Sequence, residues 1–160
     1  MAPWRDFTAA TGGALEFLHG RLGWDVWSVT RVQDDRQIVL QAHPADLVRP
    51  GTWLPWADSF CRQMIAGEGP RAATVTAAVP AYAARATGPG AGVAAYIGVP
   101  LVTARGELFG TLCGVAYRAR PRSAARDLPL VELVARMLST LMAAGLEPPD
   151  PPALVPAAGG

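Results

Sequence analysis

Residues 96–114 read Tyr96-Ile97-Gly98-Val99-Pro100-Leu101-Val102-Thr103-Ala104-Arg105-Gly106-Glu107-Leu108-Phe109-Gly110-Thr111-Leu112-Cys113-Gly114. Two apolar runs flank the polar triplet Ala104-Arg105-Gly106. Runs of this length, separated by a short turn containing Gly, read as two antiparallel strands of a hairpin. The strands are expected over 94–103 and 108–117. Pro100 has no amide hydrogen to give to a ladder, so it predicts a bulge or a strand end.

Working outward from this hairpin, a second one is written earlier in the chain. Residues 24–32 alternate and are rich in Trp, Val and Thr, Asp34-Asp35 supplies a turn, and residues 37–42 return. Before it, Phe7, Ala10, Ala14, Leu15, Phe17, Leu18 and Leu22 recur at helical spacing. The Gly12-Gly13 pair weakens the early turns, so the firm part is expected from Ala14, with Gly23 as the stop. Residues 43–55, punctuated by Pro44, Pro50, Gly51 and Pro55, read as loop. A short helix is expected over 56–66, ended by Gly67-Glu68-Gly69-Pro70, then a brief strand over 72–76. Residues 77–92 read as a short helix near Pro80 followed by a flexible loop. The last helix is expected over 127–144, with the Asp127 carboxylate as cap. On it Leu130, Val134, Met137 and Leu141 form one stripe, widened by Val131, Leu138 and Met142. That arc exceeds what one sheet-facing side needs, which predicts a second partner surface such as a neighbouring subunit. Strands joined as hairpins, with helices at both ends, make an α+β fold: an antiparallel sheet covered on one face by the terminal helices.

Length and composition bound the rest. A chain of 160 residues has room for one ordinary domain. We place it at residues 1–145, followed by a tail, 146–160, whose prolines predict disorder. Hydrophobic residues at 51% against 17% charged set the chain apart from disordered proteins. The net charge of +1 supplies no attraction to nucleic acid or to an anionic membrane. All 14 basic residues are Arg, and neither Lys nor Asn occurs; both missing residues have AT-rich codons, so a GC-rich genome accounts for this. No apolar run approaches the roughly 18 residues of a membrane span. The N-terminus, Met1-Ala2-Pro3-Trp4-Arg5-Asp6, lacks the pattern of a signal peptide. Two cysteines are too few for a secreted disulfide scaffold. A cytoplasmic location with reduced thiols is the expectation.

Asp58-Ser59-Phe60-Cys61, Val79-Pro80-Ala81-Tyr82, Tyr96-Ile97-Gly98-Val99-Pro100-Leu101 and Gly106-Glu107-Leu108-Phe109-Gly110-Thr111-Leu112-Cys113 resemble GAF domains, in particular the bacterial branch often attached to diguanylate cyclases. The likeness spans roughly residues 7–144. It implies an antiparallel sheet of five or six strands, terminal helices on one face, and short helices and loops forming a ligand pocket on the other. GAF domains generally sense small molecules or light, or dimerise and relay a signal, and fold alone does not choose among these. One departure stands out: the family usually has an acidic residue near the position of Thr76 or Ala77.

The candidate pocket residues are Trp56, Phe60, Cys61, Tyr82, Tyr96 and Cys113, an apolar set with a few polar tips, as small-molecule sites usually are. Against this, Phe60 and Tyr96 also suit an ordinary core. Cys61 lies near a predicted helix start beside Arg62, where a thiol can be activated; Cys113, mid-strand, is most simply a small buried hydrophobe. Reductases of free methionine sulfoxide with this fold use more cysteines at other spacings, and the residues around Cys61 do not resemble a phytochrome's bilin site. His19 and His43 have no His or Cys at ligand spacing, which leaves metal without a motif and haem with single histidines. Cyclic-nucleotide sites of the mammalian GAF type use Asn and Lys, and a P-loop needs Lys; this chain has neither. With two His and no paired carboxylates, general acid–base catalysis has few candidates. The expected function is therefore a non-catalytic sensor or relay domain. It would act as a homodimer through its terminal helices and pass its signal to another protein, since no output domain is visible. The alternatives are a ligand-free interaction module and a thiol-dependent reductase using Cys61. The residues name no cofactor.

Overall fold

Asp6 caps the first helix, α1 (Phe7–Leu22): its carboxylate accepts from the Ala9 amide at 2.7 Å. The helix thus starts before Gly12-Gly13 rather than after it. Phe7, Ala10 and Thr11 are buried, and a side chain at Gly12 or Gly13 would run into Gln41 or the Trp4 ring. Packing of one face outweighs the weak propensity of the glycines. The computed structural model describes residues 1–158.

After α1 come β1 (Val26–Gln33), β2 (Arg36–His43), β3 (Thr52–Pro55), α2 (Phe60–Ile65), β4 (Ala72–Ala73), α3 (Pro80–Ala83), β5 (Ala95–Val102), β6 (Leu108–Ala116), α4 (Leu128–Ala143) and β7 (Val155–Pro156). They form one sheet in the order β4-β5-β6-β1-β2-β3-β7. Every pairing is antiparallel except β3–β7. Both predicted hairpins are present. Asp34 and Asp35 turn the first with φ of 54° and 58°, the left-handed conformation that a two-residue hairpin needs and that Asp tolerates. In the second, Pro100 stays in register opposite Thr111, and the irregularity falls between Leu101 and Val102. The amides of Gly98 and Val102 point away from β6, to the Arg71 carbonyl and the Ser139 hydroxyl. Pro100 shares their side of the strand, so its missing donor falls where no ladder bond is required.

The sheet has seven strands, not five or six. The additions are β3, inside a segment read as loop, and β7, inside the tail read as disordered. The tail folds back: Val155 donates to the Gly51 carbonyl at 3.0 Å and Ala157 to that of Trp53 at 2.8 Å. An exposed edge strand with free amides and carbonyls is a template for such pairing, and composition does not reveal the template. Gly159 and Gly160, the end of that tail, lie outside the described residues.

One sheet face carries Trp27, Val29, Ile97, Val99, Leu101 and Leu112, packed with Phe7, Leu15 and Leu18 of α1 and Val131 and Leu138 of α4 into the main core. On α4 the buried positions are Val131, Ala135, Leu138 and Ser139. The stripe expected inside is turned partly outward: Met137 is 59% exposed, while Leu130, Val134 and Leu141 only border the core. Asp127 does not cap α4. It is already helical after the 3-10 turn Arg122–Asp127, and its carboxylate accepts from Trp24 Nε1 at 2.9 Å.

Candidate functional site

The opposite sheet face is the floor of a cavity. Side chains alternate along a strand, so the positions between the core residues point the other way: Val26, Ser28 and Thr30 of β1, Gln37 and Val39 of β2, Tyr96 of β5, and Thr111, Cys113 and Val115 of β6. With Phe60 and Cys61 of α2 above them, all of these but Thr111 line a cavity of about 380 Å³. Its lip is formed by Pro89–Ala91 on one side and by Ala157 and Ala158 of the tail on the other, with Arg49 and Asp58 also in its lining.

Four of the six candidate residues, Phe60, Cys61, Tyr96 and Cys113, line this cavity. Tyr82 does not. It is fully buried behind them, its hydroxyl donating to the Pro70 carbonyl, its ring edge-on to Phe60 and Tyr96 at 5.4 and 5.2 Å. Trp56 packs against this aromatic cluster without lining the cavity. Ser28, Thr30, Gln37 and Thr111 were missed. The signal was present in the alternation of β1: once Trp27 and Val29 are assigned to the core, Ser28 and Thr30 must face the other way.

α2 is set by Ser59, whose hydroxyl oxygen accepts from the Arg62 amide at 3.0 Å and donates to the Trp56 carbonyl at 2.7 Å, a side-chain N-cap. Gln63, completely buried, donates to the Ala57 carbonyl at 3.2 Å. These contacts hold the first turn of α2 over the floor, with Cys61 directed down.

There Cys61 ends a one-way chain of donors. Gln37 Nε2 donates to the Thr30 and Thr111 hydroxyl oxygens at 3.2 and 3.3 Å. Thr111 donates its hydrogen to Cys61 Sγ at 3.3 Å. In the 2.7 Å contact between Thr30 and Thr111, Thr30 is therefore the donor. Tyr96 donates to the same sulfur at 3.1 Å. A sulfur that accepts from several donors is stabilised as thiolate, and the neighbouring Cys113 thiol does most to bring Cys61 down to about 7; burial opposes this, and Thr111 and Tyr96 add to it. The same arrangement pushes Cys113 well above the usual thiol range, through its bond to Cys61 first, then burial and the Cys61 charge. Burial, then the thiolate charge, pushes Tyr96 and Tyr82 up.

At the position where the family usually carries an acid, Thr76 is buried and donates to the Val93 carbonyl at 2.9 Å. Its amide donates to the Ala94 carbonyl, also at 2.9 Å. Thr76 thus latches together the two ends of the 77–92 segment.

A seven-stranded sheet with terminal helices on one face and a lined cavity on the other defines a class of small α+β domains with a pocket over the sheet. The family model for the GAF domain matches residues 5–142, and the chain belongs to that family. Among solved structures, it is similar to a free methionine-R-sulfoxide reductase from Neisseria meningitidis in complex with its substrate (20% identity, TM-score 0.67, covering 87% of this chain and 79% of that one). It is similar to the phycocyanobilin-bound GAF domain from a cyanobacterial phytochrome (16%, 0.65, 86% and 84%). It also resembles the GAF domain of an Acinetobacter phosphoenolpyruvate-protein phosphotransferase (15%, 0.64, 88% and 84%). At these identities the likeness is one of fold. No curated protein matches the chain. No helix among the described residues is long and apolar enough to cross a membrane.

Proposed function

We propose that this GAF domain is a small-molecule sensor that relays occupancy of its cavity and has no turnover of its own. The carrying observation is the cavity of about 380 Å³ beside Phe60 and Tyr96. That volume lies within the range of small-ligand sites, whereas a ligand-free interaction module has no need of one. Val26, Val39, Val48, Leu54 and Val93 make its walls largely apolar, with Ser28, Thr30, Gln37 and Tyr96 as polar tips on the floor. It suits a compact, largely apolar molecule with one polar edge.

Occupancy acts on the Pro89–Ala91 side of the cavity. A ligand touching Pro89–Ala91 biases the 77–92 segment, which is tied to β5 through Thr76. β5 in turn packs on α4 through Val102 and Ser139. A ligand shifts that arrangement only as far as it binds one state better than the other. The signal leaves through α1 and α4, which pair with a second copy of the chain, and passes on to a downstream protein.

Native mass spectrometry of gently purified protein tests the reading. The expected result is a non-covalent adduct, absent from a cavity-filled Val39→Trp variant that still folds. Protein without an adduct, and with no thermal shift across a panel of small apolar ligands, would overturn it in favour of the interaction module. The reductase reading draws on the donor chain at Cys61. It predicts sulfoxide reduction that disappears in Cys61→Ser, while the sensor reading predicts that this variant keeps its adduct.

A further inference from the structure

We propose that Cys61 and Cys113 form a peroxide-responsive dithiol in the cavity wall, closing to an intramolecular disulfide when a hydroperoxide enters. Both thiols line the same cavity yet come from different elements, α2 and β6, and they pack in one side-chain cluster with Phe60, Tyr82 and Tyr96. The surroundings are directional. Tyr96 and Thr111 both aim hydroxyl hydrogens at Cys61 Sγ, whereas Cys113 Sγ has Ser28 Oγ at 3.3 Å. A buried cysteine serving only as a small hydrophobe needs no such convergence of donors. Both are free thiols in this structure. The inference concerns the same cavity as the sensor reading but does not depend on a non-covalent ligand.

The asymmetry sets the order of events. Cys61, lowered to about 7, is substantially ionised near neutral pH, and Cys113, pushed up, keeps its proton. The Cys61 thiolate attacks the terminal oxygen of a hydroperoxide, the O–O bond breaks, and the departing alkoxide takes a proton to leave as an alcohol, or as water from hydrogen peroxide. Cys61 is now a sulfenic acid. Cys113 then attacks the Cys61 sulfur, the S–O bond breaks, and hydroxide leaves with the Cys113 proton as water. Two thiols and one hydroperoxide give one disulfide, one alcohol and one water. The peroxide is the oxidant, and the thiol pair loses two hydrogens. The product ties α2 to β6 across the cavity and removes the acceptor that Tyr96 and Thr111 share.

The test uses the full chain, reduced and then exposed to hydrogen peroxide near neutral pH, read by intact mass and non-reducing peptide mapping. The expected product is a monomer lighter by two hydrogens, with a Cys61–Cys113 linked peptide that dithiothreitol releases. In Cys113→Ser the reaction stops at Cys61 sulfenic acid, trapped as a dimedone adduct. In Cys61→Ser the remaining thiol stays unmodified over the same exposure. The wild-type experiment stands without either variant. Two free thiols after exposure that oxidises a cysteine-containing control peptide, a disulfide between chains, or dimedone labelling at Cys113 in place of Cys61 each overturns the proposal.

Discussion

Gly98 and Tyr96 share β5, and the ring of Tyr96 occupies the space a side chain at Gly98 would need. The buried Tyr96 has aromatic neighbours on two sides, so it cannot yield freely. Gly98→Ala is expected to cost about 1–3 kcal/mol of stability, the usual range for overpacking a filled core, measured by urea denaturation. Because it also swings the Tyr96 hydroxyl off Cys61, thiol alkylation in this variant should titrate above the wild-type midpoint of about 7. Tyr96→Phe separates the two effects: the titration moves up, with a smaller loss of stability. Ionisation of Cys61 has a thermodynamic consequence as well. Its folded value of about 7 lies below the ordinary 9.0, so its contribution to stability is complete above pH 9, shrinks as pH falls toward 7 and is gone below it. Cys113, raised instead of lowered, opposes this only above its own ordinary value. Urea midpoints are expected to rise between pH 7 and 9 in the wild type, and this rise should be missing in Cys61→Ser.

Two elements are held by contacts that composition does not announce. The start of α4 is tied to the connection between α1 and β1 by Asp127, which takes the indole hydrogen of the fully buried Trp24. Asp127→Ala leaves that donor unpaired, a loss of about 1–3 kcal/mol. A simple helix cap would be restored by Ser, which reaches its own helix amides. Retention of stability by Asp127→Ser would therefore refute the tertiary tie. The tail strand β7 depends on Gly51, whose φ is 92° and where a side chain would meet the Ala153 carbonyl. Gly51→Val is expected to release the tail while leaving the main core intact. Hydrogen exchange checks this directly: the amides of Val155 and Ala157, protected in the wild type, should exchange freely in the variant. The cavity then loses the Ala157–Ala158 side of its lip, and ligand dissociation should quicken.

At the scale of the whole molecule, the helix layer is only half used. Leu133 and Met137 of α4 are 53% and 59% exposed, a turn apart on the helix that also carries the half-buried Leu130, Val134 and Leu141; Phe17 of α1 is 51% exposed. Neighbouring apolar side chains exposed in this way commonly mark an interaction surface. A second copy of the chain is the occupant we assign. If a second copy covers this face, the wild type is expected to sediment as a dimer and Leu133→Glu combined with Met137→Glu as a monomer by sedimentation velocity. Thermal stability of the isolated domain should be nearly unchanged, because both side chains are already more than half in water. A wild-type chain that sediments as a monomer at high concentration would remove the assignment.

The sequence by itself determined both hairpins, the enclosing helices, the α+β class and four of the cavity residues. Each of these is a local property: alternation, helical spacing, turn chemistry, and motif stretches that carry aromatic and sulfur side chains together. Tyr82 sits in one of these stretches and Trp56 just before another, yet they support the cavity from behind, because a motif fixes neighbourhood and not which way a ring turns. Only the tertiary structure decided that Ser28, Thr30, Gln37 and Thr111 converge, for they come from three strands whose order is settled by pairing. It also decided which stripe of α4 goes inside, since an arc apolar over more than half its width fits the sheet in more than one rotation. The tail was misread for the same reason. Its prolines argue against an ordinary strand, but a single edge needs few donors, and β3 offered an edge that only the assembled sheet creates.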